Sequence, residues 1–257
     1  MKKLIFMGII FFSTSSISIA QGIKEATINW EDGLKPPYLM LTEKKELIGI
    51  AVEMLNKILS MNQIKPIHKI APWKRCLKEI EDKQVDLVPN SSYKDDRAKF
   101  SHYTKPLYET HLVLFYLKSK FANPPNIKII DDFKSYKIGG VFGFNYDQYQ
   151  NQINIDTGAK SREILIEKLR RGYIDIAIEQ LEVVLSLYRE GKVNLEGVEN
   201  VPDPVMPVKV FHVLAVKNEK GKKLQEIIDY GIDKLQKDGI TERIMKKYLG
   251  ESYKTTK

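Results

Sequence analysis

Arg97, preceded by Ser91 and Ser92, is the residue whose type and setting best suit the binding of an anion. A guanidinium grips a carboxylate through two parallel N–H···O bonds, and each charge-assisted hydrogen bond is worth about 1.5–3 kcal/mol net. The serine hydroxyls can bind the same ligand, as can the free N–H groups of the helix start predicted after them. The alternatives are a surface arginine paired with a neighbouring aspartate, and N-capping by Ser92.

Two aromatic residues, Tyr38 and Trp73, are candidates for the walls of a ligand site. Aromatic faces exclude water from an apolar group and attract a cation. Trp73 also lies on the apolar face of an amphipathic helix predicted to begin after Pro72, so core packing is an equal alternative. Arg75 projects from another face of that helix, where it is either solvated or a second contact for an anion.

Strand-like and helix-like patterns alternate along the chain, which predicts βαβ units and the α/β class. Apolar runs predict strands at residues 26–30, 67–70, 86–88, 112–117, 137–141, 174–178 and 210–216. Apolar residues at helical spacing predict helices around residues 51–59, 73–80, 162–171, 224–235 and 241–248. The 257 residues are enough for one large or two medium lobes, and we favour two.

The first 20 residues are typical of a cleaved secretory signal peptide. Lys2 and Lys3 precede an apolar core at residues 4–12, and small residues suit cleavage between Ala20 and Gln21. That core is too short to span a bilayer, and no later apolar run approaches the required length. We therefore expect a soluble, exported mature chain.

Cys76 is the sole cysteine, so an intramolecular disulfide is excluded. Its place on the apolar face of a predicted helix indicates a buried thiol. No cysteine follows the cleavage site for a lipid anchor, which predicts a protein held in the periplasm of a Gram-negative cell. The four histidines show no metal-ligand spacing, and no cofactor motif is present, so neither metal nor cofactor is expected.

The sequence resembles the extracellular solute-binding proteins of family 3, the receptors of polar amino acid uptake. The similarity lies in a glycine-helix turn, an S-x-P-Y-like turn and a C-terminal signature, at residues 49–53, 105–108, and 237–239 with 247–250. The Pro72-Trp73-x-Arg75 pattern, with its short spacing from Asp86 to Arg97, is closest to a proteobacterial branch of that family. The resemblance covers nearly the whole mature chain.

This resemblance implies a two-lobed α/β fold, the type II fold of periplasmic binding proteins. Each lobe would be a mixed sheet flanked by helices, and two crossover strands, near residues 113–116 and 207–211, would form the hinge. The first lobe would be discontinuous, from residues 22–112 and 208–257, and the second would comprise residues 113–207. The ligand would bind in the crevice between them.

The resemblance also implies site residues in the second lobe. Gly143, Phe144 and Asn145 match the family's glycine-threonine loop, which closes its backbone N–H groups over a carboxylate. Phe144 and Asn145 depart from that motif, so the loop's hydroxyl contact is lost. Gln180 stands where the family has the aspartate that pairs with the ammonium of an amino acid, and a neutral amide cannot supply that charge. Either Glu179 substitutes, or the ligand is not a standard α-amino acid.

The expected function is capture of a small, polar, carboxylate-bearing solute for an ABC-type permease, without catalysis. One alternative is an enzyme resembling cyclohexadienyl dehydratases, with Glu179 as general acid. Another is a sensory or scavenging receptor without a transporter. The net charge of +8 favours anionic ligands weakly, but the lysines are dispersed, so no nucleic acid partner is expected. We expect a monomer.

Overall fold

The computed structural model describes residues 22–149 and 152–250. The predicted signal peptide, residues 1–20, lies outside the described residues, as do the last seven residues assigned to the first lobe. No helix among the described residues has both the length and the apolar character needed to cross a membrane.

The described residues form twelve β-strands and seven α-helices. The strands are β1 (Glu25–Glu31), β2 (Met40–Leu41), β3 (Leu47–Ile48), β4 (Lys65–Ala71), β5 (Leu87–Ser91), β6 (Ser101–Tyr103), β7 (Tyr108–Leu117), β8 (Ile138–Val141), β9 (Ile155–Ala159), β10 (Ile176–Gln180), β11 (Val198–Pro202) and β12 (Val208–Val216). The helices are α1 (Ile50–Met61), α2 (Trp73–Glu81), α3 (Asp95–Ala98), α4 (Arg162–Arg170), α5 (Leu181–Arg189), α6 (Glu219–Lys237) and α7 (Ile240–Leu249).

The strands lie in one continuous path, β4-β1-β5-β12-β7-β10-β8-β9, that divides into two halves. In the first half β1 is parallel to β4 and β5, and in the second β8 is parallel to β9 and β10. The inner strands β12 and β7 run antiparallel to their neighbours. Two mixed sheets with the predicted alternation of strands and helices therefore meet at one pair of strands.

We call the first half, with helices α1–α3, α6 and α7, the first lobe. The second half, with α4 and α5, is the second lobe. Helices α1, α6 and α7 pack on one another, and α2 packs on β1 and β5, whereas α4 and α5 pack on β10. The buried apolar residues lie on both faces of each half sheet, as expected for a sheet covered by helices.

Strands β7 and β12 are the only strands through which the two half sheets are paired in the described residues. Their pairing runs from Tyr108 opposite Phe211 to His111 opposite Val208. Residues 112–117 of β7 pair instead with β10 and β11, inside the second lobe. Strand β7 therefore passes from the first half sheet to the second before the predicted residues 113–116, because those residues already pair within the second half sheet. The exact lobe boundaries stay a prediction.

Gly49 fixes the start of α1 against the loop that carries Tyr38. Its φ is +126°, and a Cβ there would lie 2.5 Å from the carbonyl oxygen of Tyr38. The N–H groups of Ile50 and Ala51 donate to the carbonyls of Pro37 and Tyr38 at 3.0 and 3.1 Å. A side chain at position 49 would be strained in conformation and would push this loop away from the helix.

The amphipathic helix predicted after Pro72 is confirmed as α2, with Pro72 at its N-cap. Cys76 and Ile80 are buried, and Trp73 and Leu77 pack partly against the same apolar cluster. The Cys76 thiol donates to the carbonyls of Trp30 and Ala71, and burial raises its pKa to about 12. The prediction of a buried thiol is confirmed.

Candidate functional site

The carboxyl ends of the parallel strands in the two lobes face each other and form the candidate site. Strands β1 and β5 end at Glu31 and Ser91, and β10 ends at Gln180. Open sheets bind ligands at this edge because the loops that follow the strands converge there. Asn145 Nδ2 donates to Ser92 Oγ at 3.5 Å, a long hydrogen bond from the second lobe to the first. The two lobes thus touch across a cleft.

Arg97, the strongest candidate from the sequence, lies half-buried on the first-lobe side of this cleft. Its Nη1 donates to Ser91 Oγ at 3.2 Å and to the Ser92 carbonyl at 2.9 Å. Its Cζ lies 5.1 Å from the centre of the Trp73 ring. All these partners are neutral, so the alternative of an arginine paired with Asp95 or Asp96 is not what the described structure contains.

The serines that precede Arg97 hold it in place. Ser91 is fully buried and donates to the Ser92 carbonyl at 3.0 Å. That carbonyl also accepts from the Tyr103 hydroxyl at 3.2 Å. The alternative role of Ser92 as an N-cap is wrong, because α3 begins at Asp95 and Lys94 occupies the N-cap position.

The other first-lobe candidates, Tyr38, Trp73 and Arg75, do not share one site. Tyr38 is fully buried and stacks on Tyr108, with 4.1 Å between ring centres. Trp73 lies beneath Arg97, so the two aromatic rings pack against different neighbours rather than forming the two sides of one sandwich. Arg75 has a side chain 70% exposed and pairs with Glu79 at 2.6 Å. The structure does not bring Arg75 to the other candidates.

The predicted glycine loop of the second lobe lies directly after β8. Gly143 has φ of +77°, and Phe144 donates its N–H to the Val141 carbonyl at 3.2 Å. That N–H is therefore used within the loop. The Asn145 carbonyl accepts from Lys209 Nζ at 2.6 Å, and this ammonium lies 4.2 Å from the centre of the Phe144 ring.

Glu179 and Gln180, at the end of β10, are both fully buried. Glu179 Oε2 lies 3.3 Å from Arg162 Nε, and its Oε1 accepts the Gln180 N–H at 2.8 Å. Arg162 is the first residue of α4, after the N-cap Ser161. Neither end of the Gln180 amide has a hydrogen-bond partner among the described residues. A buried amide with both ends unsatisfied is costly, and a ligand or water would relieve that cost.

Sequence reasoning missed Lys35, which the structure buries beside the aromatic rings of the hinge. Its Nζ lies 3.2 Å from the centre of the Phe211 ring and 5.3 Å from that of Tyr108. The Tyr108 hydroxyl lies 3.4 Å from Lys35 Nζ and donates to Asn90 Oδ1 at 2.9 Å, and Asn90 Nδ2 donates to Glu31 Oε1 at 3.3 Å. Burial lowers the pKa of Lys35 and raises that of Glu31, although each carboxylate–ammonium attraction opposes these shifts.

Lys209, on the hinge strand β12, was also missed. It is 5% exposed, whereas its neighbours Val208 and Val210 are 39% and 36% exposed. Burial lowers the pKa of Lys209 to about 8, and the nearby charge of Glu179 partly opposes this. A buried lysine between two more exposed valines inverts the usual pattern and shows that another part of the protein covers the polar face of this strand. Only the structure reveals this burial, so the sequence offered no signal for Lys209.

The described residues contain no group of three or more metal-ligating side chains. The site consists instead of cations, aromatic faces and amides, positioned by the strand ends of two lobes that hinge on β7 and β12. Such a fold and cleft define a two-lobed solute-binding protein.

The chain belongs to the family of bacterial extracellular solute-binding proteins, family 3, whose model matches residues 31–251. It is 22% identical over 216 residues to the probable amino-acid-binding protein YxeM of Bacillus subtilis, covering 81% of this chain and 78% of that protein. It is 23% identical over 223 residues to the L-cystine-binding protein TcyJ of Escherichia coli, covering 85% and 80%.

The fold is also that of solved solute-binding proteins. A substrate-binding protein of an ABC uptake transporter from Streptococcus pneumoniae, solved with bound histidine, superposes with a TM-score of 0.69 at 19% identity, covering 91% of this chain and 95% of that one. The predicted family and the predicted two-lobed α/β fold are confirmed.

Proposed function

We propose that this protein captures a small, polar, carboxylate-bearing solute in the cleft between its lobes. The observation that carries the proposal is Arg97, a half-buried guanidinium held by Ser91, the Ser92 carbonyl and the Trp73 ring. These neutral partners orient the guanidinium without neutralising it. A carboxylate entering the cleft would gain charge-assisted hydrogen bonds that water screens only in part.

The named relatives support this function. TcyJ is described as an L-cystine-binding protein and YxeM as a probable amino-acid-binding protein, and the superposed Streptococcus pneumoniae protein serves an ABC uptake transporter. We infer a comparable role here, in which the closed protein delivers its solute to an ABC-type permease. The exported, periplasmic form expected from residues 1–20 and a monomeric state belong to the same proposal.

Closure of the lobes would complete the site. The contacts of Asn145 with Ser92 and with Lys209 lie where the second lobe meets the first lobe and the hinge. A ligand shifts the equilibrium between the open and closed forms only by the difference in its affinity for the two forms. A solute held on Arg97 alone would bind weakly, and contacts from the loop at residues 143–145 would favour the closed form.

We further propose that binding occurs without catalysis. Glu179, the residue suggested as a general acid, has one oxygen beside Arg162 and the other accepting the Gln180 N–H. Both partners belong to the second lobe, and the contact with Arg162 is an ion pair at 3.3 Å without a hydrogen bond. This arrangement suits a structural role in orienting Arg162 better than proton donation to a substrate.

The proposal is tested by native mass spectrometry of the protein purified without denaturation, followed by small-angle scattering after removal and re-addition of any retained solute. We expect a retained carboxylate-bearing solute, a smaller radius of gyration with it, and no change in the solute's mass on incubation. A retained solute that lacks a carboxylate, or no solute and no compaction with any anionic compound, contradicts the proposed function.

A further inference from the structure

Three cationic side chains of the cleft, Lys35, Arg97 and Lys209, have no carboxylate as an ion-pair partner in residues 22–149 or 152–250. Ion pairs occur around them, such as Lys94 with Asp147, but do not include them. Each lies instead on the face of an aromatic ring. We call these residues the cation triad.

The carboxylates of the cleft do not balance its cations. Arg162 adds a fourth positive charge, and Glu31 and Glu179 supply two negative charges. The charges of Arg162 and Glu31 act on Lys35, and that of Glu179 acts on both Lys35 and Lys209. Even with each carboxylate assigned to one cation, two positive charges are left in excess.

The cleft also lacks the complement that an ammonium group requires. The charge of Glu179 is offset by Arg162, whose Nε lies 3.3 Å from Glu179 Oε2 as an ion pair without a hydrogen bond. Glu31 accepts from Asn90, and its charge acts on Lys35. Gln180, at the end of β10, is fully buried with both ends of its amide unpartnered. Its amide can bind a carboxylate or hydroxyl oxygen, but it carries no charge to offset a buried ammonium.

We propose that the ligand of this cleft is a small dianion, a dicarboxylate without an ammonium group. One carboxylate would bind Arg97, and the other would bind the ammonium groups of Lys209 and Lys35. The two anchors lie on different aromatic rings, Trp73 for Arg97 and Phe211 for Lys35. The charge of Arg97 acts on Lys209, and the charge of Lys209 acts on Lys35. This inference rests on the proposed function and specifies its substrate class.

The test is isothermal titration calorimetry at neutral pH with straight-chain dicarboxylates from malonate to adipate, the monoamide of each, and zwitterionic amino acids. We expect the best dicarboxylate to bind roughly tenfold or more tighter than its monoamide, because the monoamide keeps the shape but loses one charge. Addition of an α-amino group to the best dicarboxylate should weaken binding.

Variants of the cation triad identify the source of this preference. Lys35→Met and Lys209→Gln should each reduce the advantage of the dicarboxylate over its monoamide, whereas Lys69→Gln, which removes an exposed lysine on β4, should leave it unchanged. Circular dichroism confirms that each variant is folded. A variant that does not fold is replaced by Lys35→Gln or Lys209→Met.

The outcomes separate this inference from the proposed function. A zwitterionic amino acid that binds tighter than every dicarboxylate, with Arg97 required, overturns the dianion and leaves solute capture intact. If no probe binds, the retained solute found by native mass spectrometry decides: two anionic groups support the inference, and one or none overturns it. No binding and no retained solute contradict both proposals.

Discussion

The Lys94 ammonium lies 2.7 Å from the Asp147 carboxylate, which joins the N-cap of α3 in the first lobe to the segment after the glycine loop of the second. The two side chains are 35% and 67% exposed, so the pair belongs to the rim of the cleft rather than its interior. Ion pairs this exposed contribute about 0–1 kcal/mol. This pair can therefore bias closure of the lobes but cannot drive it.

Asp147→Asn should shift the unliganded protein toward a more open form with little loss of stability. The substitution keeps the shape of the side chain but removes the attraction to Lys94, so we expect a larger radius of gyration by small-angle scattering. Ligand affinity should fall by less than about fivefold, because an exposed ion pair contributes only a small free energy to closure. Asp131→Asn, which breaks an exposed pair with Lys134 away from the cleft, is the control. Equal radii for Asp147→Asn and the parent contradict the prediction.

Arg97→Ala should weaken binding of a carboxylate-bearing solute by about 1.5–3 kcal/mol or more, measured by calorimetry, because two charge-assisted hydrogen bonds to the ligand are lost. Its melting temperature should change little, because the partners of Arg97 are neutral and keep other hydrogen bonds: Ser91 Oγ still donates to the Ser92 carbonyl, which still accepts from Tyr103.

Arg75→Ala is the matched control for this prediction. It removes an arginine of the same formal charge whose side chain is 70% exposed and paired with Glu79. We expect unchanged affinity. Equal loss of affinity in both variants would show that Arg97 acts through the net charge of the protein and not through contact with the ligand.

Apolar patterning was sufficient to predict most of the scaffold. The predicted helix at residues 162–171 is α4, and the predicted strand at 210–216 is β12, which starts two residues earlier. Strands β9 and β11 were not predicted. Strand β9 contains Asp156 and Gly158, which have low strand propensity, and β11 contains Asn200 and Pro202 and no fully buried residue. Tertiary pairing with β8 and β7 therefore decides their conformation.

The site was predictable only where a motif marked it. Arg97 was identified from its residue type and the serines before it, with the family resemblance in agreement, and the loop at residues 143–145 was identified through the resemblance. The structure places them on opposite sides of one cleft. Lys35 and Lys209 carry no motif. Their burial depends on a second lobe covering them, and local sequence does not contain that information.

Binding of a carboxylate-bearing solute should weaken as the pH rises through about 8, the lowered pKa of Lys209 in the unliganded protein. The groups that act on this ammonium are Glu179 and Asp147, which favour the charged form, and Lys94 and Arg97, which oppose it. Below that pH Lys209 is protonated and attracts the anion. Above it, binding must first return the proton, so affinity falls and proton uptake accompanies binding.

Calorimetry in buffers of different ionisation enthalpy measures this proton uptake. We expect uptake to increase across about pH 7–9 in the parent and to be absent in Lys209→Gln. The stability of the unliganded protein should change in the opposite direction. Between about pH 8 and pH 10.5, the ordinary pKa of lysine, the unfolded chain binds more protons at Lys209 than the folded protein does. The contribution of Lys209 to the free energy of unfolding therefore increases with pH in this range. Affinity that does not change with pH in the parent contradicts the role of Lys209.

Glu182→Gln should destabilise the hinge more at acid pH than at alkaline pH. The buried Glu182 carboxylate accepts the His111 N–H through both oxygens, at 3.2 and 3.1 Å, and lies 2.6 Å from His111 Nδ1. This hydrogen bond raises the pKa of His111 above its ordinary value of 6.5. The charge-dependent stabilisation is therefore fully present below pH 6.5 and is lost as the pH rises through the raised pKa.

At alkaline pH a glutamine at position 182 can still accept the His111 backbone N–H, so the loss should be small. At acid pH it leaves a protonated imidazole beside a neutral amide. Melting temperatures of parent and variant, compared from about pH 5.5 to 8.5, should differ most at the acid end. The conservative variant Glu182→Asp keeps a carboxylate and should recover part of the melting temperature that Glu182→Gln loses at acid pH. A difference that is constant across this range would show that Glu182 acts through its backbone contact alone.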